Sequence, residues 1–245
     1  MQRTHIYLLG SGIRGALQFT QETIQALRAS RVVYVLHDDT MVLDAVRELC
    51  PQVEDLATLY SPGDVRSNVY RTISEKLVAE AISGGPSIAF LVHGHPLFLV
   101  SATEYTLELA RSKGLRVEML PAVSSFDTLL CDLEIDYGYG LQLFDSSTLL
   151  AVDWQPNPQV PMLIFQLATT LCDKVVDTEP PPQVLRPLVE KLLRTYPPDH
   201  LCTVVHSSAF LLERSTKIEV ALGNLAECDD IELWKRPTLY VPPAS

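Results

Sequence analysis

Between Ile88 and Ser101 the chain reads IAFLVHGHPLFLVS, and this stretch constrains the fold more than any other. Five consecutive apolar residues, Ile88 to Val92, stop at His93-Gly94-His95-Pro96, and apolar residues resume at Leu97-Phe98-Leu99-Val100. A short apolar run closed by Gly and Pro predicts a buried strand that feeds a loop. Similar runs at Thr4–Leu9, Val32–Leu36 and Val117–Leu120 predict further strands. Helical spacing falls between them at 18–30, 41–49, 65–83 and 102–113, with Thr20 as a helix cap and Val69, Ile73, Leu77 and Ala81 on one buried face. Gly114 is placed to end the last of these helices. Strand and helix in alternation predict a doubly wound, mainly parallel sheet for the first half of the chain. In such sheets ligands bind outside the carboxyl ends of the strands. The His93–Pro96 loop is therefore expected at the rim of a site.

Pro121 opens a different region. A helix is expected over Ala122–Leu133 and another near Val184–Tyr196, after Pro180-Pro181-Pro182. Strands are expected at Leu149–Val152, Met162–Gln166, Leu201–His206, Thr216–Ala221 and Thr238–Val241. Crossover helices are fewer here, which predicts a mixed sheet. The expected organisation is two α/β subdomains, 1–120 and 121–245, with a cleft between them.

Composition narrows the function. With 47% apolar and 20% charged residues, the chain has enough to build a sizeable core. A net charge of −11 argues against nucleic acid or an anionic membrane as the main partner. Neither a signal segment nor an apolar run of membrane-spanning length is visible, so a cytoplasmic protein is expected. Cys50, Cys131, Cys172, Cys202 and Cys228 lie far apart without a C-x-x-C pair, which predicts reduced, mostly buried thiols. His93 and His95 offer two metal ligands, but no third is identifiable, and no metal is expected.

Two groups of residues carry chemical meaning. Gly10-x-Gly12-x-x-Gly15 follows the first strand, and Asp38 ends the second, which is formally a dinucleotide fingerprint. Small residues there let a pyrophosphate approach a helix N-terminus. The sequence after Gly15 argues against this, because the helix begins too late. The second group is Tyr60, Arg66 and Tyr70. Arg66 and Tyr70 are four apart and share a helix face, with Tyr60 in the preceding loop. A guanidinium can hold an oxyanion, and a tyrosine of lowered pKa can take a proton. The plain alternative is a surface arginine between two tyrosines at the edge of the core.

The order of Gly10-Ser11-Gly12, Gly94-His95-Pro96 and Pro121-Ala122-Val123-Ser124-Ser125 resembles the tetrapyrrole methylase superfamily of S-adenosylmethionine (SAM) methyltransferases. Gly94-His95-Pro96, Met119-Leu120-Pro121, Asp132-Leu133 with Ile135-Asp136, and Leu239-Tyr240-Val241-Pro242-Pro243 make it most similar to the borosin peptide-backbone N-methyltransferases. The resemblance spans almost the whole chain and implies SAM as cofactor. It implies a cofactor site lined by Gly10, Gly12, Gly94, His95, Pro96, Phe98, Ser101, Ser124, Ser125, Gln166, His206, Ser207 and Thr238. It also implies Tyr60, Arg66 and Tyr70 as the catalytic group. Two tyrosines of the family fall on Ala57 and His93 here, and Ala122 replaces a glycine. His93 is then expected to relay a proton or contact the substrate. No core peptide follows Pro242-Pro243, so the expected substrate is a separate precursor peptide, and the resemblance implies a homodimer. Three other readings stand beside this one: a tetrapyrrole precursor methyltransferase, a catalytically weakened SAM- or peptide-binding homologue, and a nicotinamide oxidoreductase.

Overall fold

The computed structural model describes residues 4–210 and 212–244. The chain divides into two compact α/β units, Met1–Thr128 and Leu129–Ser245. The division falls inside the helix Ser125–Leu133, a little beyond Leu120.

The first unit contains β1 (Ile6–Gly10), α1 (Gln21–Ala29), β2 (Val32–Leu36), α2 (Thr40–Leu49), β3 (Val53–Asp55), α3 (Arg66–Ile82), β4 (Ile88–Val92), α4 (Ser101–Ser112) and β5 (Val117–Met119). Its five strands are all parallel, in the order β3-β2-β4-β1-β5. Alternate residues of β4 enter opposite cores. Ile88, Phe90 and Val92 pack with Val69, Ile73 and Leu77 of α3 and Ala102 and Ala110 of α4. Ala89 and Leu91 pack with Ala26 and Leu27 of α1 and Val42, Leu43 and Val46 of α2. A strand covered on both faces must be apolar throughout, which accounts for the unbroken run that ends at His93.

Local chemistry places the helix ends. Thr20 Oγ1 accepts from Thr23 N at 3.0 Å and starts α1. Asp39 Oδ1 accepts from Met41 N at 2.8 Å and starts α2. Gly114 ends α4 in the left-handed region, φ +70°, where a side chain would be strained.

The second unit begins within α5 (Ser125–Leu133) and continues through β6 (Gln142–Asp145), α6 (Ser146–Ala151), β7 (Met162–Phe165), α7 (Arg186–Leu192), β8 (Leu201–His206), β9 (Thr216–Ala221) and β10 (Thr238–Val241). The strand order is β6-β7-β10-β8-β9, with β6 and β7 parallel and the other pairs antiparallel, so the sheet is mixed.

One expectation fails. Leu149–Val152 is not a strand, because Ser146–Ala151 forms α6. Asp145 Oδ1 accepts from Thr148 N at 2.8 Å, and this cap turns an apolar run into a helix with Leu149 buried. The strand lies just before it, at Gln142–Asp145. The short edge strand β3 is set by pairing with β2, Val33 opposite Val53, rather than by its own polar sequence. The Val184–Tyr196 helix is shorter than expected and opens with a 3₁₀ turn over Pro182–Leu185. Among the described residues no helix is long and apolar enough to cross a membrane.

Candidate active site

All five strands of the first unit point their carboxyl ends to one edge, and every candidate residue of that unit lies on it. Gly10 and Gly12 follow β1, Tyr60 follows β3, Arg66 opens α3, and His93 to Phe98 follow β4. Ser101 opens α4, and Ser124 and Ser125 follow β5. The neighbours β1 and β4 send their helices to opposite faces of the sheet, α1 to one and α4 to the other. The crevice between their loops is the topological switch point, where doubly wound sheets hold ligands.

Gly12 and Gly94 meet across this crevice in an antiparallel bridge. Gly12 N donates to Gly94 O at 3.3 Å, and Gly94 N to Gly12 O at 3.1 Å. Both have positive φ, +73° and +70°. Gly10 is needed for a different reason: a Cβ there would sit 2.0 Å from Gly94 O and 2.7 Å from Ala122 Cβ. The glycines thus join two loops. The fingerprint's pyrophosphate cradle is absent, because Gln18 Oε1 accepts from Ile13 N at 2.6 Å and from Arg14 N at 2.9 Å. The following helix starts only at Gln21, already capped by Thr20. The nicotinamide reading loses its physical basis here.

His95 Nδ1 accepts from Leu97 N at 3.1 Å, which rigidifies the turn around the buried Pro96. Phe98 lies against Phe126, ring centroids 6.5 Å apart. Ser124 forms a reciprocal cap with Asp127: its N and Oγ donate to Asp127 Oδ2 at 2.6 and 2.7 Å. Its hydroxyl therefore orders the start of α5, with Ser125 as the first helical residue.

Tyr60 and Tyr70 stack edge to face, centroids 6.4 Å apart, and Tyr105 of α4 lies 6.3 Å beyond Tyr70. Burial raises the pKa of both Tyr60 and Tyr70; Arg66 pulls each of them down, by less. The lowered tyrosine pKa that the sequence offers as a possibility is therefore reversed, because two phenols half out of water resist ionising more than one cation favours it. Asp38 raises Tyr60 further, which places the loop after β2 beside the group.

Two contributors escape sequence reading, His37 and Tyr105, and Asp38 enters it only as part of the dinucleotide fingerprint. Far from His93 in sequence, His37 lies next to it in space, Nε2 to Nδ1 3.1 Å, because β2 and β4 are adjacent strands that end level, Leu36 opposite Val92. The signal available was a histidine at each strand end. Among the described residues no three of His, Cys, Asp and Glu gather as a metal site. All five cysteines are free thiols, Cys131 exposed and only Cys50 and Cys202 buried.

In the second unit, Gln166 follows β7, His206 ends β8, and Thr238 starts the strand between them, β10. The register, Thr238 opposite Val205, gathers these three at one end of the sheet. Gln166 is left-handed, φ +61°. His206 is 6% exposed, and burial lowers its pKa, offset in part by Glu232. The Glu232 backbone lies near enough to favour the charged ring, yet neither ring nitrogen completes a hydrogen bond among the described residues. A buried imidazole with two orphaned nitrogens suits a polar ligand edge. Ser207 Oγ donates to Asp132 Oδ2 at 2.5 Å.

A family model described as Tetrapyrrole (Corrin/Porphyrin) Methylases matches residues 5–217. The chain belongs to the tetrapyrrole methylase family. It is 27% identical over 241 residues to a methyltransferase/ribosomally synthesized type II borosin cyclic peptide precursor of Phlebiopsis gigantea. That match covers 96% of this chain and 42% of the relative. A similar precursor of type I from Cerrena unicolor is 27% identical over 244 residues, covering 96% of this chain and 58% of the relative. The chain thus spans about half the length of the curated relatives it matches. Among solved structures, uroporphyrin-III C-methyltransferase of Thermus thermophilus complexed with S-adenosyl homocysteine has a TM-score of 0.63 at 18% identity, covering 97% of each chain. At that identity the likeness concerns the fold.

Proposed function

We propose that this tetrapyrrole methylase chain transfers a methyl group from SAM to backbone amide nitrogens of a peptide. The observation that carries the reading is Tyr60 packed edge to face on Tyr70, with Arg66 one helical turn before Tyr70, on the carboxyl edge that holds the Gly12–Gly94 switch point. The family match and the borosin precursor relatives support it.

The loops after β1 and β4 suit the cofactor, since two glycines leave backbone without side chains at the crevice. Gln166, His206, Ser207 and Thr238 carry over as cofactor-binding positions of the second unit. His206, with its orphaned nitrogens, is the member whose chemistry fits best. When bound, SAM supplies an electrophilic methyl group on a sulfonium.

An amide nitrogen is a poor nucleophile because its lone pair is delocalised into the carbonyl. Methylation requires negative charge on oxygen and loss of the N–H proton. Arg66 holds the oxygen, Tyr70 takes the N–H proton in its phenolate form, and Tyr60 supports both by hydrogen bonding. Burial keeps Tyr70 a phenol at neutral pH. Its use as a base therefore depends on positive charge beside it, and Arg66 is the resident source. Exclusion of water would strengthen these interactions.

The test is calorimetry with SAM and NADH, followed by mass spectrometry of peptides supplied in trans with SAM. Added mass of one CH₂ per transfer, located by fragmentation on a backbone nitrogen, is expected. NADH binding without SAM binding, or methyl transfer only to a polycarboxylated tetrapyrrole, refutes the reading. Supplying the peptide in trans also examines the separate-substrate expectation directly.

A further inference from the structure

Resting on the reading above, we propose that His37 is a positioning residue that sets His93 as a hydrogen-bond donor toward the substrate, by fixing the tautomer of both rings.

The polarity starts at a helix cap. Asp39 is pinned as the N-cap of α2: its side chain accepts from Met41 N at 2.8 Å and its carbonyl from Val42 N at 3.2 Å. Its own N–H is thereby aimed, and it donates to His37 Nδ1 at 2.9 Å. A backbone N–H cannot accept, so Nδ1 carries the lone pair and the proton of neutral His37 sits on Nε2. That nitrogen lies 3.1 Å from His93 Nδ1, with the rings edge to face at 69° and centroids 4.9 Å apart. One proton occupies this contact, and His37 supplies it. Neutral His93 must then keep its own proton on Nε2.

The roles follow from burial. His37 is 7% exposed and His93 is exposed, so His93 is the ring that can meet a substrate. With Nδ1 occupied and Nε2 protonated, neutral His93 has no free base. Proton relay through it, expected from sequence, is thereby disfavoured, and donation to a developing oxyanion is favoured. A neutral donor adds stabilisation without adding a second full cation to the sheet edge that carries Arg66. Asp38 acts on Tyr60 and its neighbour His37 touches His93, so both groups share one edge of the sheet.

The experiment uses the whole chain with ¹⁵N-labelled histidine. Long-range ¹H–¹⁵N spectra at mildly alkaline pH report which ring nitrogen carries the proton, and a His93→Gln variant assigns the His93 signals. Expected are Nε2–H tautomers for both His37 and His93. His37→Phe removes the donor and should leave His93 as a tautomer mixture. His37→Gln keeps an acceptor for Asp39 N–H and a donor for His93, and should preserve the Nε2–H form; it also serves if the Phe variant does not fold. Single-turnover methylation at saturating peptide should fall about two- to tenfold in His37→Phe, the value of one ordinary hydrogen bond, and recover in His37→Gln. A His93 protonated on Nδ1 overturns the proposal. So does a tautomer that ignores His37→Phe, or one that shifts without a change in rate. Tautomers as stated, with no methyl transfer by the unsubstituted protein, support the polarity and refute peptide methylation instead.

Discussion

Gly10→Ala is the substitution whose cost the structure specifies most closely. Gly10 ends β1 with ordinary extended geometry, so alanine meets no backbone penalty there. The new Cβ would instead lie 2.0 Å from Gly94 O, 2.7 Å from Ala122 Cβ and 3.0 Å from Pro96 Cδ. The first of these is backbone and cannot rotate away. Forcing a methyl into a packed site costs about 1–3 kcal/mol. Moving the Gly94 backbone also breaks the two hydrogen bonds between Gly94 and Gly12, one accepted by the Gly94 carbonyl and one donated by its N–H, at about 0.5–1.5 kcal/mol each. Together the loss is about 2–6 kcal/mol. Gly94→Ala is the control. Its Cβ would meet only Ile13 Cδ1, at 3.4 Å, and the cost is the left-handed backbone, φ +70°, about 1–2 kcal/mol. Urea unfolding followed by circular dichroism gives both values, and calorimetry gives SAM binding. Gly10→Ala should lower the midpoint more than Gly94→Ala and abolish SAM binding. Equal or reversed effects would refute the claim that Gly10 exists to let the two loops touch.

The remaining predictions concern chemistry and pH. Arg66→Ala should lose about 10²–10³ in methyl transfer, the usual cost of removing an oxyanion donor, while retaining SAM binding. Arg66→Lys should rescue poorly, because an ammonium lacks the planar fork; near-normal turnover in either variant removes Arg66 from the mechanism. Tyr70→Phe should bind SAM and transfer almost nothing. In the unsubstituted enzyme kcat should climb with pH through the alkaline range, because burial raises the Tyr70 pKa and keeps the phenolate scarce at neutrality; a flat profile measured by mass spectrometry counts against Tyr70 as base. Burial also pushes Tyr34 and Tyr137 up to about 12, one in each unit. The unfolded chain releases these protons near pH 10, earlier than the folded one, so it binds fewer protons above that pH and stability falls as pH rises. Urea midpoints should therefore drop between about pH 10 and pH 12, and Tyr34→Phe should lessen the drop.

Much of the scaffold was legible because burial on two faces leaves its mark along a strand. Ile88 to Val92 had to be apolar throughout, and the Thr20 cap and Gly114 stop carry their own local signals. Local signals also misled. Leu149 to Val152 has the composition of a strand, but the Asp145 cap one turn earlier decides for a helix. β3 exists only because β2 offers it a ladder.

The division is the same at the site. Residue types and spacing by themselves determined the order of Gly10-x-Gly12, Tyr60, Arg66, Tyr70 and Gly94-His95-Pro96, and hence the family. Sequence spacing also puts Arg66 and Tyr70 on one helix face, because a helix turn is a local geometry. What no spacing contains is which loops touch. That β1 and β4 lie side by side with their helices on opposite faces, so that Gly12 bonds Gly94, is a consequence of sheet order. The contact of His37 with His93 has the same origin, since the two are brought together by the pairing of β2 with β4 and their separation along the chain carries no trace of it. The direction of the tyrosine pKa shifts was likewise a tertiary matter. An arginine nearby predicts a fall, and only the extent of burial decided that desolvation prevails.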